Sequence, residues 1–230
     1  MTLHQFDTRV ELAQQLAGRI ARDLESAIAR QGTATLAVSG GSTPLPLFEE
    51  LSNKPIDWSR VFVTQVDERW VDEDHPDSNA RMIRQKLLRH RAASACFVSM
   101  KTADEDVFKS EAAAARALSV FGAAIDVLVL GMGDDGHTAS FFAGASTLHK
   151  ALDPESKQLC VAIRPPQAPH DRMTLSLAAI LRSRHLYLHI TGSKKWSVLQ
   201  RAELAGEVAK LPIRAILNRS DPSLEVFYCP

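Results

Sequence analysis

The sequence predicts one α/β domain in which a mostly parallel sheet is covered by helices on both faces. Short apolar segments rich in β-branched residues alternate with longer segments of helical periodicity, as in strands joined by crossover helices. Polar, glycine-rich clusters directly follow several predicted strands. The length of 230 residues, with 45% hydrophobic and 23% charged residues, fits a single globular domain covering residues 1–230.

The N-terminal segment has an apolar residue at every fourth position, which predicts an amphipathic helix that ends near Gly32. The apolar run Leu36–Val38 then predicts a buried strand, followed by a glycine loop. In that loop Ser42 or Thr43 is predicted to cap a helix that has Pro44 in its first turn. The periodic apolar residues of the first helix are Leu12, Leu16, Ile20, Leu24 and Ile28.

The same alternation continues through the middle of the chain. The β-branched run Val61–Val66 predicts a strand that leads into a polar loop at Asp67–Arg69, and a helix is predicted to start near Ser78. An alanine-rich stretch from Asp106 to Phe121 predicts another helix. The segment Ile125–Leu130 predicts a buried strand.

Five further elements complete the pattern. Strands are predicted at Gln158–Ile163, Leu186–Thr191 and Leu224–Tyr228, and helices at Leu175–Leu181 and Lys194–Ala205. No internal repeat or linker interrupts the order. The elements together predict one sheet with helices on both sides.

Composition argues against several classes of function. Lys+Arg and Asp+Glu are both 27, so no global field favours nucleic acid or an anionic membrane. The N-terminus lacks the apolar region of a signal peptide, and no apolar run is long enough for a membrane span. Cys96, Cys160 and Cys229 are far apart in sequence, which favours a reducing compartment over a disulfide framework. A soluble cytoplasmic protein is expected.

Four polar clusters follow predicted strands, at Ser39–Thr43, Asp67–Arg69, Gly131–His137 and Gly192–Lys195. In an open parallel sheet the loops after the strands share one edge, where ligands bind. Residues that are distant in sequence are therefore expected to meet there.

The first cluster has the features of an anion site. Gly40 and Gly41 allow a tight turn and a close approach to a ligand, and Ser42 and Thr43 lie where a helix offers free N–H groups. The cluster lacks the lysine of a Walker A loop, so no nucleoside triphosphate is implied. The alternative is a tight turn with a helix cap and no ligand.

The segment Gly131–Gly136 matches the GxGxxG pattern, but a dinucleotide site is not expected there. Asp134 and Asp135 would place two carboxylates against a pyrophosphate. Asp135 with His137 instead predicts an oriented acid/base pair, since histidine is the commonest general base. The alternative is an exposed loop histidine.

Charged residues at the same edge complete the candidate site. Asp67 and Glu68 are candidates to bind sugar hydroxyls, and Arg69 to bind a phosphate or an oxyanion. Arg172 and Lys195 are isolated cations predicted beside this edge, although each alone is also typical of a surface charge. The acidic and histidine residues show no established metal-ligand spacing, so no metal is expected.

These clusters together resemble the monofunctional bacterial 6-phosphogluconolactonases, a branch of the larger group that includes glucosamine-6-phosphate deaminases and ribose-5-phosphate isomerases. Asp72 and Ala143 stand where that family usually has proline, which bears on the rigidity of the loops. The motifs, in family order, are SGGSTP (Ser39–Pro44), DERWV (Asp67–Val71) with SN (Ser78-Asn79), GMGDDGHTASFF (Gly131–Phe142), RMTLS (Arg172–Ser176), GSKK (Gly192–Lys195) and LPIRAIL (Leu211–Leu217).

The resemblance implies a modified Rossmann-like sheet without a dinucleotide site, and hydrolysis of 6-phospho-D-glucono-1,5-lactone without a cofactor. The expected partner is this phosphorylated sugar lactone, and the expected state is a monomer or a small homo-oligomer. Two alternatives stay open. A deaminase or isomerase would use Asp67 to move a proton between C1 and C2. A sugar-phosphate sensor would bind a ligand without turnover.

Overall fold

The computed structural model describes residues 1–217 and 223–230. In its described residues no helix is both long and apolar enough to cross a bilayer. The strands are β1 (Thr2–Gln5), β2 (Ala34–Val38), β3 (Val61–Gln65), β4 (Asp67–Arg69), β5 (Cys96–Phe97), β6 (Val127–Leu130), β7 (Cys160–Ile163), β8 (Arg172–Leu175), β9 (His185–Thr191) and β10 (Leu224–Cys229). The helices are α1 (Arg9–Gln31), α2 (Leu45–Ser52), α3 (Asn79–Lys86), α4 (Val107–Ala117), α5 (Leu148–Ala151), α6 (Leu177–Leu181), α7 (Ser193–Glu203) and α8 (Arg214–Leu217).

Seven strands form one parallel sheet in the order β1-β10-β9-β6-β2-β3-β5. One face is covered by α1, α2 and α3, whose apolar residues pack with Leu36 and Val63 of the sheet. The other face carries α4, α6, α7 and α8, packed around Leu128 and Leu188. The prediction of a mostly parallel sheet between two helical layers is confirmed.

A second, three-stranded antiparallel sheet in the order β4-β8-β7 was not predicted. Asp67–Arg69, predicted as a loop, is the strand β4, and Leu175, predicted to be helical, ends β8. The two strands are short and rich in polar residues, so they lack the apolar run that indicates a strand. Their register places Arg69 directly opposite Arg172.

Helix ends follow the predictions at two places and depart at a third. Gly32 ends α1 in a left-handed conformation, with φ of 83° and its N–H bonded to the Ile28 carbonyl. Ser78 caps α3 by accepting a hydrogen bond from the Arg81 amide. The capping of α2 by Ser42 or Thr43 is wrong, because Pro44 occupies the cap position and no side chain bonds the first turn. Those two side chains lie in the loop before α2.

Candidate active site

A cavity of about 230 Å³ opens at the carboxyl ends of β2, β6 and β9. The four polar clusters meet here, as the parallel arrangement requires. Of the sequence-predicted site residues, those that line the cavity are Gly40, Gly41, Ser42, Thr43, Asp67, Arg69, His137 and Lys195. Asp135, Glu68 and Arg172 are not among the lining residues: Asp135 is exposed, and Glu68 and Arg172 are buried.

The loop after β2 is tied to the loop after β6. The Ser39 amide donates to the Val129 carbonyl, and Ser39 Oγ accepts from the Gly131 amide at 3.1 Å. At Gly40 an added Cβ would lie 1.9 Å from Oδ1 of Asn79, so only glycine fits. Gly41 follows with φ of 98°, a conformation that glycine adopts without strain. The two glycines therefore let the backbone form the cavity wall.

Asp135 and His137 form a close pair. Nδ1 of His137 lies 2.6 Å from Oδ1 of Asp135, and the same oxygen accepts the His137 amide at 3.1 Å. The hydrogen bond to His137 lowers the pKa of Asp135 to about 2, so this carboxylate is ionised throughout the neutral range. With Nδ1 engaged, Nε2 is the histidine nitrogen that remains for a ligand or water.

The glycines of the GxGxxG pattern make room for that pair. A Cβ at Gly133 would lie 2.3 Å from Nδ1 of His137 and 2.6 Å from Oδ1 of Asp135. Gly136 has φ of 83°, and its hydrogen faces Leu211, whose Cδ2 would lie 2.3 Å from a Cβ. Gly133 thus makes room for the carboxylate–imidazole pair, and Gly136 makes room for Leu211.

Asp67 presents an oriented carboxylate to the cavity. Its Oδ2 accepts a hydrogen bond of 2.7 Å from the Ser140 hydroxyl. Its backbone carbonyl accepts from Nδ2 of Asn79 at 2.8 Å. These contacts fix the direction of a side chain that can accept hydrogen bonds from hydroxyl groups.

Glu68 has a different role from the one predicted. Its side chain is fully buried, and its carboxylate accepts the backbone amides of Arg69, Asn79 and Ala80 at 2.7–2.8 Å. Gln65 and Ser78 donate to it as well. Burial raises the pKa of Glu68, and these amide hydrogen bonds oppose that rise. The prediction that Glu68 binds substrate hydroxyls is wrong, because its oxygens hold β4 against the start of α3.

Three cations surround the cavity. Nη1 of Arg69 donates to the Asp77 carbonyl at 2.6 Å, which orients a guanidinium that lines the wall. Lys195 Nζ lies 3.3 Å from Oγ1 of Thr43, and burial lowers the pKa of this amine. Arg172 is 6% exposed, and burial lowers its pKa. Within residues 1–217 and 223–230, its Nε and Nη1 have no hydrogen-bond partner.

His189 and Asn79 also line the cavity, although neither was predicted as a site residue. His189 is 4% exposed on β9, and burial, with the nearby Lys195 charge, lowers its pKa to about 4. It is therefore neutral at pH 7, and it also lines an adjoining cavity of about 240 Å³ that includes Arg9. A histidine inside a strand is typical of a core position, and only its place near the strand's carboxyl end distinguishes it.

The chain is similar to known proteins over nearly its whole length. Residues 7–225 match the model of the family described as glucosamine-6-phosphate isomerases/6-phosphogluconolactonase. The 6-phosphogluconolactonase of Rhizobium meliloti is 42% identical, over 99% of this chain and 98% of its own. That of Pseudomonas aeruginosa is 41% identical, over 94% and 91%. The crystal structure of a Shewanella baltica 6-phosphogluconolactonase has 46% identity and a TM-score of 0.97, covering 100% and 98% of the two chains.

The role of Glu68 predicts a loss of stability in Glu68→Gln. The new amide replaces one carboxylate oxygen with a group that cannot accept the buried N–H donors. Each amide left unpaired costs about 1–3 kcal/mol. Urea unfolding measures the change, and Glu25→Gln on the exposed face of α1 is the matched control. Equal unfolding free energies for the two variants would contradict the structural role.

The close packing at Gly133 predicts that Gly133→Ala separates His137 from Asp135. The downfield proton resonance of the Nδ1–H hydrogen bond should disappear from the NMR spectrum, and overpacking should cost about 1–3 kcal/mol of stability. Gly18→Ala is the control, because its Cβ would meet only Arg22 Nη1 at 3.7 Å. An unchanged resonance in Gly133→Ala would show that the loop can accommodate a side chain.

Proposed function

We propose that this chain, which belongs to the family of glucosamine-6-phosphate isomerases and 6-phosphogluconolactonases, hydrolyses 6-phospho-D-glucono-1,5-lactone to 6-phospho-D-gluconate. The observation that carries the proposal is the Asp135–His137 pair beside a cavity walled by glycine amides and cations. The full-length similarity to proteins named 6-phosphogluconolactonase supports it. The proposed setting is the oxidative pentose phosphate pathway in the cytoplasm, with residues 1–230 acting as one catalytic domain.

The proposed first step is the attack of water on the lactone carbonyl carbon. His137 Nε2 takes a proton from the water as its oxygen bonds to that carbon. The ionised Asp135 holds the proton on Nδ1 and stabilises the imidazolium that forms. When the tetrahedral intermediate collapses, the bond from carbon to the ring oxygen breaks and His137 returns its proton to that oxygen. The products are a carboxylic acid, which ionises, and a hydroxyl group.

The negative charge on the carbonyl oxygen requires hydrogen-bond donors in the transition state. Two sets of donors line the cavity: the guanidinium of Arg69 and the backbone amides near Gly40 and Gly41. Both sets are held before the substrate arrives, since Arg69 is bonded to Asp77 and the glycine loop is tied to β6. Either set satisfies the chemistry, and Arg69 is equally suited to the phosphate.

The phosphate of the substrate is assigned to the side of the cavity formed by Ser42, Thr43 and Lys195. Lys195 supplies charge next to the loop amides, and its partial burial strengthens the attraction. The buried guanidinium of Arg172 adds positive charge on the Arg69 side of the cavity, where its Nε and Nη1, which have no partner among the described residues, favour an anion. Asp67, oriented by Ser140, accepts hydrogen bonds from the sugar hydroxyls.

Loss of the general base predicts a large kinetic effect in His137→Ala. Activity on freshly generated lactone, with the spontaneous hydrolysis rate subtracted, should fall about 10²–10⁴-fold. His149→Ala on the exposed surface should keep the wild-type rate, and both variants should keep the wild-type melting temperature. EDTA should leave kcat unchanged, because no proposed step uses a metal.

Two outcomes would count against this function. Full activity in His137→Ala would end the general-base mechanism. Folded wild-type protein that gives no rate above spontaneous hydrolysis would end the lactonase proposal. Turnover of glucosamine 6-phosphate would then identify the deaminase reaction, with Asp67 as the base, and binding without turnover would identify a sensor.

The phosphate assignment predicts a specific effect on KM in Lys195→Gln. A hydrogen bond to a charged group contributes about 1.5–3 kcal/mol, which corresponds to a rise in KM of about 10–100-fold. Lys194→Gln is the matched control, because the neighbouring Lys194 is exposed and paired with Asp134. Equal KM values for the two variants would show that Lys195 does not hold the phosphate.

A further inference from the structure

Three side chains outside the cavity form a cluster of metal-ligand type. His75, Asp77 and His170 each offer one ligand atom, and these atoms all lie within 4.8 Å of one another. Oδ2 of Asp77 is 3.0 Å from Nε2 of His170 and 3.9 Å from Nδ1 of His75. None of the three lines the cavity of the proposed reaction. We call this group the His75/Asp77/His170 cluster.

The donor set selects a class of ion. Two imidazoles and one carboxylate suit zinc and similar transition metals, whereas magnesium and calcium prefer oxygen ligands. Zinc binds these atoms at about 2.0–2.2 Å in a tetrahedron, so pairs of donors lie about 3.3 Å apart. The separations of 3.0 and 3.9 Å lie on either side of that value. The two imidazole nitrogens lie within 4.8 Å of each other, so side-chain rotations that shorten this separation would complete the geometry and leave the fourth position for water.

The backbone presents these donors from two separate segments. The turn before α3 carries His75 and Asp77, and the Asp77 amide donates to Nδ1 of His75 at 3.1 Å. This nitrogen therefore carries a free electron pair and no proton, as a metal ligand must, and on binding it exchanges the long hydrogen bond for a metal bond. His170 lies in the segment between β7 and β8, with φ of 67°, which is uncommon outside glycine.

Neighbouring contacts hold the two segments in register without using the Asp77 carboxylate. Arg69 donates to the backbone carbonyl of Asp77 and not to its side chain. The Asp171 carbonyl, next to His170, accepts the Trp70 amide at 2.7 Å. Among the described residues the Asp77 carboxylate pairs with His75 and His170, so a cation that joins the segment after β4 to the segment before β8 would replace contacts within the cluster itself.

We propose that the His75/Asp77/His170 cluster binds one divalent transition-metal ion of the zinc type, which clamps the turn at residues 72–78 to the segment at residues 164–171. The ion takes no part in lactone hydrolysis. It stabilises the end of the small sheet at which Arg69 of β4 is paired with Arg172 of β8. The chemistry of the donors and their convergence from two segments carry the proposal.

The test uses full-length protein freed of metal with EDTA and then dialysed, and zinc chloride alone as the ligand. Calorimetry should show one site in the wild type, and His170→Asn and Asp77→Asn should each weaken that site by at least about tenfold. Asparagine tolerates a positive φ, so His170→Asn keeps the backbone of this segment. Two controls should bind as the wild type does: His149→Asn, an exposed histidine elsewhere, and His137→Asn, which removes the pair at the proposed active site.

Thermal unfolding gives an independent readout. Zinc should raise the melting temperature of the wild type and of His137→Asn, since a ligand that binds only the folded state stabilises it. The shift should be absent in His170→Asn.

Two results would overturn the proposal directly. A wild type that binds no zinc would show that the cluster is an ion pair between Asp77 and the histidines only. Tight zinc binding that survives in His170→Asn would show that this histidine is not a ligand. Binding lost only in His137→Asn would place the ion at the Asp135–His137 pair, which also overturns it. The lactonase assay in EDTA is separate, so failure of the clamp leaves the proposed function untouched.

Discussion

The arrangement of the candidate site depends on one buried carboxylate. The Glu68 carboxylate accepts hydrogen bonds from the backbone amides of Arg69, Asn79 and Ala80. Arg69 belongs to β4, and Asn79 and Ala80 belong to the first turn of α3. A negative charge at this helix start is also favoured by the partial positive charge of the helix end. Asp67 and Arg69 flank Glu68 and both line the cavity, so the anchored residue fixes the position of its two neighbours. A residue outside the cavity lining thus sets the geometry of residues within it.

A second constraint is the lack of space around the key side chains. Gly40 leaves room for Asn79, and Gly133 leaves room for His137 and Asp135. In each case a backbone without Cβ lets a functional side chain lie directly against it. The glycines are needed for this close packing as much as for turning, which explains how a GxGxxG pattern occurs beside a close carboxylate–imidazole pair.

Much of this could be predicted from the sequence, for identifiable physical reasons. The buried strands β2, β3 and β6 are apolar and β-branched, so their pattern indicates them directly. Because the sheet is parallel, the loops that follow its strands had to meet at one edge. The structure brings Asp67, His137 and Lys195, which follow β3, β6 and β9, together at that edge. Prediction failed where tertiary contacts decide the role. Glu68 looks like its exposed neighbours in sequence, and its burial depends on α3 folding over it. His189 looks like a core residue because its neighbours in β9 are apolar.

The order of strands in the main sheet bears on how the chain reaches this structure. The edge strand β1 pairs with β10, and His4 contacts Glu225 across 221 residues of sequence. In the interior of the sheet, β6 lies between β2 and β9, so strands from distant parts of the chain are neighbours. Most pairings therefore close long loops, which places the molecule among slowly folding topologies. The cavity draws its lining from both halves of the chain, and it is complete only when Lys195 docks beside Thr43. The complete cavity consequently requires both halves of the chain to be folded, and β1 can complete the sheet edge only after residues 224–229 are in place.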